Sequence, residues 1–167
     1  IGQSGSGKST LLKIIAGIEL PTIFNNTLIN SNTNYSFSWM AQNDLLLPWA
    51  SVIENVTLGQ KLRREKINIK KAKSLLEQVG LINEANKLPS TLSGGMKQRV
   101  ALARTLMENK DIILMDEPFS ALDSITRSVI QKLTWKLLKN KTVIMVTHDP
   151  LEALLLSNNL YYISSNK

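Results

Sequence analysis

No cysteine occurs among the 167 residues, which excludes disulfides, thiol catalysis and cysteine-based zinc sites. A single histidine likewise argues against a histidine-ligated structural metal. No apolar run approaches the ~18 residues needed to cross a bilayer, and the N-terminus has none of the basic, apolar and small-residue regions of a secretory leader. The expectation is a soluble, cytosolic protein stabilised by burial alone. Acids are also in short supply, 13 against 20 basic residues, for a net charge of +7. Much of that excess is local: Lys61, Arg63, Arg64, Lys66, Lys70, Lys71 and Lys73 crowd one segment whose only acid is Glu65. No aromatic residue is interleaved there for base stacking. A solvated helical face is the first reading, an anionic membrane surface the second, and nucleic acid the third.

What is present is a set of three separated motifs. Gly2-Gln3-Ser4-Gly5-Ser6-Gly7-Lys8-Ser9 fits the G-x-x-x-x-G-K-[ST] pattern, in which glycines let successive N–H groups turn toward a phosphate chain. Lys8 supplies a point charge to the outer phosphates and Ser9 a hydroxyl to Mg²⁺. The run Ser9–Ala16 predicts a helix stopped by Gly17, so the phosphates sit at a helix N-terminus, where free N–H groups favour anions. A Gly/Ser-rich stretch alone also suits a plain flexible loop; the apolar helix that follows at once favours the phosphate site.

The second motif is an apolar strand, Asp111–Met115, ending in Asp116 and Glu117, at the sheet end where open α/β folds place ligands. Asp116 suits Mg²⁺, and Glu117 suits orienting and deprotonating an attacking water. The third, Leu92-Ser93-Gly94-Gly95-Met96-Lys97-Gln98-Arg99, places Ser93 as the cap of a helix over Ser93–Glu108. Its two glycines let another group approach without a Cβ in the way. A second anion site has no use for one nucleotide unless it faces a nucleotide held by a partner subunit.

Between the motifs, Thr27–Ile29 and Tyr35–Met40 read as a β-hairpin across Asn30–Asn34. Ser51 and Glu54 form a capping box that opens a helix stopped at Gly59. A further helix starts near Asn68, with Ile69, Ala72, Leu75, Leu76 and Val79 on one face and Gly80 as its stop. Helices over Ser124–Leu138 and Pro150–Leu156, a strand over Thr142–Thr147 and a β-run at Leu160–Ile163 complete an alternation that argues a parallel α/β sheet. Only Ile1 precedes the phosphate loop, which is normally fed by a buried strand, so the chain reads as trimmed at the front, its N-terminal strands missing, and also at the back.

With these residues in place, the chain resembles the ABC-transporter ATPases: LSGGMKQR is similar to their signature motif, and the order of the three motifs is theirs. The resemblance implies a P-loop NTPase α/β core forming a single domain over residues 1–167, with a helical subdomain over about 51–89 plus the signature helix from 93. It implies ATP and Mg²⁺ as ligands, bound by Gly2, Gln3, Ser4, Gly5, Ser6, Gly7, Lys8, Ser9 and Thr10, with Ser93, Gly94 and Gly95 reaching the ATP of a second subunit in a head-to-tail dimer. Gln42 resembles the glutamine that touches Mg²⁺ and senses the permease, so the metal set is Ser9, Gln42 and Asp116. Ser120-Ala121-Leu122-Asp123 resembles the D-loop, and His148 the switch histidine, which makes Glu117, His148 and Gln42 the catalytic set. Gln42 to Trp49 followed by Val52, Asn55 and Val56 is similar to the nitrate, sulfonate, taurine and hydroxymethylpyrimidine importers, although Leu45, Leu47 and Trp49 also fit a plain core. The implied setting is the cytoplasmic face of the membrane, with a transmembrane permease and an external solute-binding protein as partners and no nucleic acid. Two departures stand out: the segment carrying the family's adenine-stacking aromatic is absent, and Ile23-Phe24-Asn25-Asn26 replaces a Gly-containing turn. A soluble ABC ATPase acting on nucleic acid or ribosomes, and a non-catalytic remnant, are the rival readings.

Overall fold

The computed structural model describes residues 1–3, 5–19 and 36–164. Helix α1 (Lys8–Ile15) is followed by strand β1 (Phe37–Met40) and helices α2 (Val52–Val56), α3 (Leu58–Leu62) and α4 (Ile69–Gln78). Two 3₁₀ turns (Ile82–Glu84 and Pro89–Thr91) then lead into α5 (Gly94–Met107), β2 (Ile112–Asp116), α6 (Ser124–Leu138), β3 (Thr142–Val146) and α7 (Pro150–Leu156). The strands form a parallel sheet of order β1-β2-β3, with Phe37 opposite Ile112 and Ile112 opposite Thr142. None of the helices among the described residues is long and apolar enough to cross a membrane.

Alternation along β2 divides the core. Ile113 and Met115 join the large cluster with Met40, Val100 and Leu102, while Leu114 turns to the other face, against Leu12 of α1 and Val146. This is the period-2 rule acting on a strand covered on both faces. Helix α5 is the hub, because Val100, Ala101, Leu102 and Ala103 are all nearly inaccessible. Around it pack α2 and α4, and Ser38 Oγ donates to Thr105 O of α5 at 2.6 Å.

Local signals account for the helix boundaries. Ser51 Oγ accepts from Glu54 N while Glu54 accepts from Ser51 N, the complete capping box. Asn68 caps α4 through Lys71 N at 2.9 Å, and Gly80 follows its end at φ 70°, the left-handed conformation that closes helices. Two expectations change. Gly59 does not stop a helix: it lies inside α3, and its missing Cβ leaves room for the carboxylate of Glu108, which is paired with Arg63. Leu160–Ile163 forms no strand; it contributes a parallel bridge between Gly2 and Ile163, with Ile163 N donating to Ile1 O at 2.8 Å. Of Tyr35–Met40, Phe37–Met40 is strand, pairing in parallel with β2. The hairpin partner at Thr27–Ile29, and the turn at Ile23–Asn26, lie outside the described residues.

Candidate functional site

The carboxyl ends of β1 and β2 and the amino end of α1 converge. At the start of α1, Gly7 is the N-cap at φ 85° with no side-chain cap, and Gly5 stands at φ 78°. Only glycine holds these left-handed positions without strain, and the helix opens with no acid in its first turn. Its free N–H groups and dipole therefore suit an anion. Lys8 is buried, at 6% exposure, with Nζ donating to Gly2 O at 2.9 Å and Gln3 O at 2.6 Å. Ser6 Oγ is buried without a partner among the described residues. A Cβ on Gly2 would collide with Ile163 O and approach Ser6 Oγ to 2.9 Å. Gly5, Gly7 and Thr10 are exposed beside this loop; Ser4 lies outside the described residues.

Asp116 and Glu117, adjacent in the chain, are sent in different directions. Asp116 ends β2 at 4% exposure, and its carboxylate accepts from Ser9 Oγ at 2.9 Å, across 107 residues of sequence. Burial raises its pKa above the ordinary aspartate value, opposed by the Ser9 hydrogen bond and reinforced by the Glu117 charge. Glu117 takes φ 47°, an uncommon conformation for a non-glycine residue and one that strains a side chain in place. Its Oε2 accepts from Gln42 Nε2 at 3.1 Å, and its Oε1 lies 3.1 Å from His148 Nδ1. His148 is exposed and sits after β3 with Asp149, the N-cap of α7. Gln42 and His148, lying 75 positions before and 31 positions after Glu117, thus meet at its carboxylate.

The Ser93 turn is built differently. Ser93 Oγ caps α5 by accepting from Met96 N at 3.3 Å. A Cβ on Gly94 would meet nothing within 4 Å among the described residues, whereas one on Gly95 would press on Ala121 O and Leu122 Cδ2 at 3.3 Å. The two glycines therefore divide their work: Gly94 presents open backbone, and Gly95 lets α5 pack on the 120–122 turn. Gln98, one turn into the helix and 4% exposed, donates to Glu117 O at 3.2 Å and accepts from Ala121 N at 2.9 Å. It joins the Ser93 turn to the backbone of Glu117.

Gln98 was in view as part of LSGGMKQR, yet no rule of spacing marked it as a brace. Arg104 was missed as well: its guanidinium donates to Asp44 O at 2.6 Å and Leu45 O at 2.8 Å, clamping the segment after Gln42 onto α5. Asn55, fully buried, explains part of the 45–56 motif, donating to Leu47, Ala50 and Ser51 carbonyls and accepting from Leu47 N. Leu45 and Trp49 are 62% and 75% exposed, which removes the plain-core reading for both.

Residues 1–120 match the family described as ABC transporter. The chain belongs to the ABC transporter family. An ABC transporter ATP-binding protein of Haemophilus influenzae is 47% identical over 167 residues, covering 99% of this chain and 69% of its own length. The aliphatic sulfonates import ATP-binding protein SsuB 1 of Rhodococcus jostii is 47% identical over 168 residues, covering 98% of this chain and 66% of its own. SsuB of Escherichia coli K12 is 42% identical over 172 residues, again with 66% of its length covered. The chain thus spans about two thirds of the curated relatives it matches. Among solved structures, the dimeric bacterial cassette MJ0796 superposes with a TM-score of 0.83 at 35% identity, covering 97% of this chain and 78% of that one. The same cassette in a post-hydrolysis state with ADP and Pi gives 0.77 at 38% identity, covering 91% and 74%. The fold is accordingly that of a P-loop ATPase cassette, and an ABC ATP-binding domain is an ATPase by family.

Proposed function

We propose that this chain binds ATP on Gly2–Thr10 and hydrolyses it to ADP and phosphate, driving solute import through a membrane permease. The observation that carries the reading is the meeting of Gln42, Glu117 and His148 beside the Ser9–Asp116 pair. Glu117 takes the proton of the attacking water as its oxygen bonds to the terminal phosphorus and the bond to the bridging oxygen breaks, leaving ADP as the departing group. His148 and Gln42 hold that carboxylate from either side. The loop fits a phosphate chain on its own evidence of geometry: glycines at positive φ, an orphaned Ser6 hydroxyl and a buried ammonium.

Mg²⁺ suits the same place. Among the described residues no three His, Cys, Asp or Glu side chains are grouped to hold a metal ion, and Mg²⁺ is characteristically held by one or two protein oxygens plus substrate phosphates. Ser9 and Asp116 would hold it, with Gln42 adjoining; when bound it neutralises charge developing on the phosphate oxygens.

The open backbone at Gly94 supports a second copy as the dimer partner, placed head to tail so that Ser93–Gly95 reaches its neighbour's nucleotide. A groove lined by Trp39, Leu45, Leu58, Leu62, Arg104 and Glu108 is read as the seat of a short cytosolic helix of the permease. The Gln42–Leu45 segment that Arg104 clamps runs between this groove and Glu117, so an occupant there bears on hydrolysis. The sulfonate importers among the relatives support a small sulfonate-type anion as cargo, delivered by an external binding protein, with this chain lying on the cytoplasmic side. The test is ATPase activity in proteoliposomes carrying the full protein and its permease. Stimulation by an alkanesulfonate-loaded binding protein, lost on Leu45→Glu with basal hydrolysis intact, is expected; equal turnover with and without loaded binding protein overturns the importer reading.

A further inference from the structure

The segment 61–73 carries seven cations and one acid, a net of six positive charges in a chain of +7. Every residue from 61 to 70 is exposed. The segment is nonetheless built. Gln60 accepts from Asn68 N through Oε1 at 2.9 Å and from Glu65 N through its own carbonyl at 2.9 Å, and Asn68 then caps α4. Arg63 is used internally, pairing with both Glu65 and Glu108, so the one acid of the segment is already neutralised. Arg64, Lys66, Lys70 and Lys73 form no ion pair with any described residue. Lys71 donates to Met107 O at 3.2 Å, and burial first and the charge of Lys141 second lower its pKa against the opposing charge of Glu108.

Set among these cations are exposed aliphatics: Leu62 at 73%, Ile67 at 40% and Ile69 at 44%. Cations alone would suit any polyanion. Aliphatics beside them find no use on a phosphodiester backbone, and the segment offers no aromatic face for a base. Both features suit the headgroup layer of an anionic bilayer, where Lys and Arg side chains meet lipid phosphates and aliphatic groups reach the acyl boundary.

We infer that the 61–73 segment docks on the surface of an anionic phospholipid membrane, as a contact of this chain's own, separate from any made through a permease. The inference stands on charge and exposed aliphatics and does not depend on the importer reading. Leu62 also lines the groove beside α3, so a membrane contact and a groove occupant would be neighbours.

Co-sedimentation of the full protein with permease-free vesicles tests it. Binding to phosphatidylcholine mixed with phosphatidylglycerol, weak binding to phosphatidylcholine alone, and loss of the difference at high salt are expected, since screening shortens the Debye length from about 10 Å at 0.1 M to about 3 Å at 1 M. Each neutralised cation should lower partitioning about fivefold, so Lys66→Gln with Lys70→Gln costs roughly 25-fold. Lys132→Gln with Lys136→Gln, on α6, should change nothing. Ile67→Ser with Ile69→Ser should weaken binding at unchanged charge. Because these side chains are exposed, ATP turnover should be unaffected in each variant. Equal binding to neutral and anionic vesicles, equal loss from the α6 pair, or full binding by the Lys66/Lys70 variant overturns the inference. Tighter, Lys66- and Lys70-dependent binding of single-stranded RNA than of anionic vesicles overturns it in favour of nucleic acid.

Discussion

The phosphate loop and the Ser93 turn both place a glycine-rich stretch before a helix, yet they are finished in opposite ways. Around the loop, polar groups close on their own neighbours: Lys8 spans back to Gly2 and Gln3, and Ser9 reaches Asp116. The Ser93 turn is anchored only from behind, by Gly95 and Gln98 against residues 117–122, while Ser93 and Gly94 face outward. A site completed within one chain and a surface completed by another call for these two finishes. The contrast teaches that a similar composition before a helix does not define a similar task; what the residues behind the turn are bonded to does.

The sharpest way to break the comparison is Glu117→Gln. It keeps the shape but exchanges one accepting oxygen for an amide NH₂ and cannot take a proton, so hydrolysis should fall by about 10²–10⁴, while the loop and the turn remain intact and an ATP-bound dimer accumulates in size-exclusion chromatography. Parental turnover in that variant removes Glu117 as the base. In that background, Gly94→Val should abolish the dimer and leave ADP affinity of the monomer unchanged, because a Cβ there meets nothing within 4 Å among the described residues. Equal loss of both would mean that the turn belongs to its own subunit's pocket.

Lys8→Ala probes the other side. Loss of a charge-assisted contact is generally worth about 1.5–3 kcal/mol, so nucleotide Kd measured by calorimetry should rise roughly ten- to a hundredfold. Unchanged Mg-ATP binding would show that the loop amides suffice. Smaller again is Gln98→Ala, which leaves Ala121 N without its partner and removes one donor from Glu117 O, which keeps Ser120 N and Oγ; it should cost about 1–3 kcal/mol of unfolding free energy. The expected signature beyond stability is a lower kcat at unchanged KM; a loss of stability with kcat intact would make Gln98 merely a packing residue.

The helices were legible because caps and apolar spacing are local. Ser51 with Glu54, Asn68 and Ser93 each mark a start that the structure keeps, and the parallel sheet followed from strands alternating with helices. Gly59 was not legible, since whether it ends a helix or admits a neighbour depends on Glu108, far along the chain. The same holds for Gln98 and Arg104, whose partners are main-chain atoms and carry no residue-specific signal. The 160–163 run was misread because β-propensity describes a fit to a pleated surface that here supplies only one bridge.

The smallest effect concerns acid. Asp123 caps α6 through Thr126 N at 3.0 Å, and that backbone hydrogen bond holds its pKa below the ordinary value of 3.8. A carboxyl depressed on folding adds stability that is present above 3.8 and lost as pH falls through the lower, folded value. Asp123→Asn, which still caps but does not titrate, should therefore flatten the acid limb of a pH-dependent melting series; an unchanged acid limb would show that the cap charge is silent.

Parallel pairing has a temporal consequence. Gln42 and Glu117 are separated by 75 residues and Ser9 and Asp116 by 107, and such distant pairs must close long loops before any contact rewards them. Helices α4 and α5 can form from neighbours in sequence, but the hydrolytic centre exists only once β2 has found β1. During synthesis, then, no part of the centre can assemble until Glu117 has left the ribosome, and on refolding, recovery of helix should run ahead of recovery of turnover.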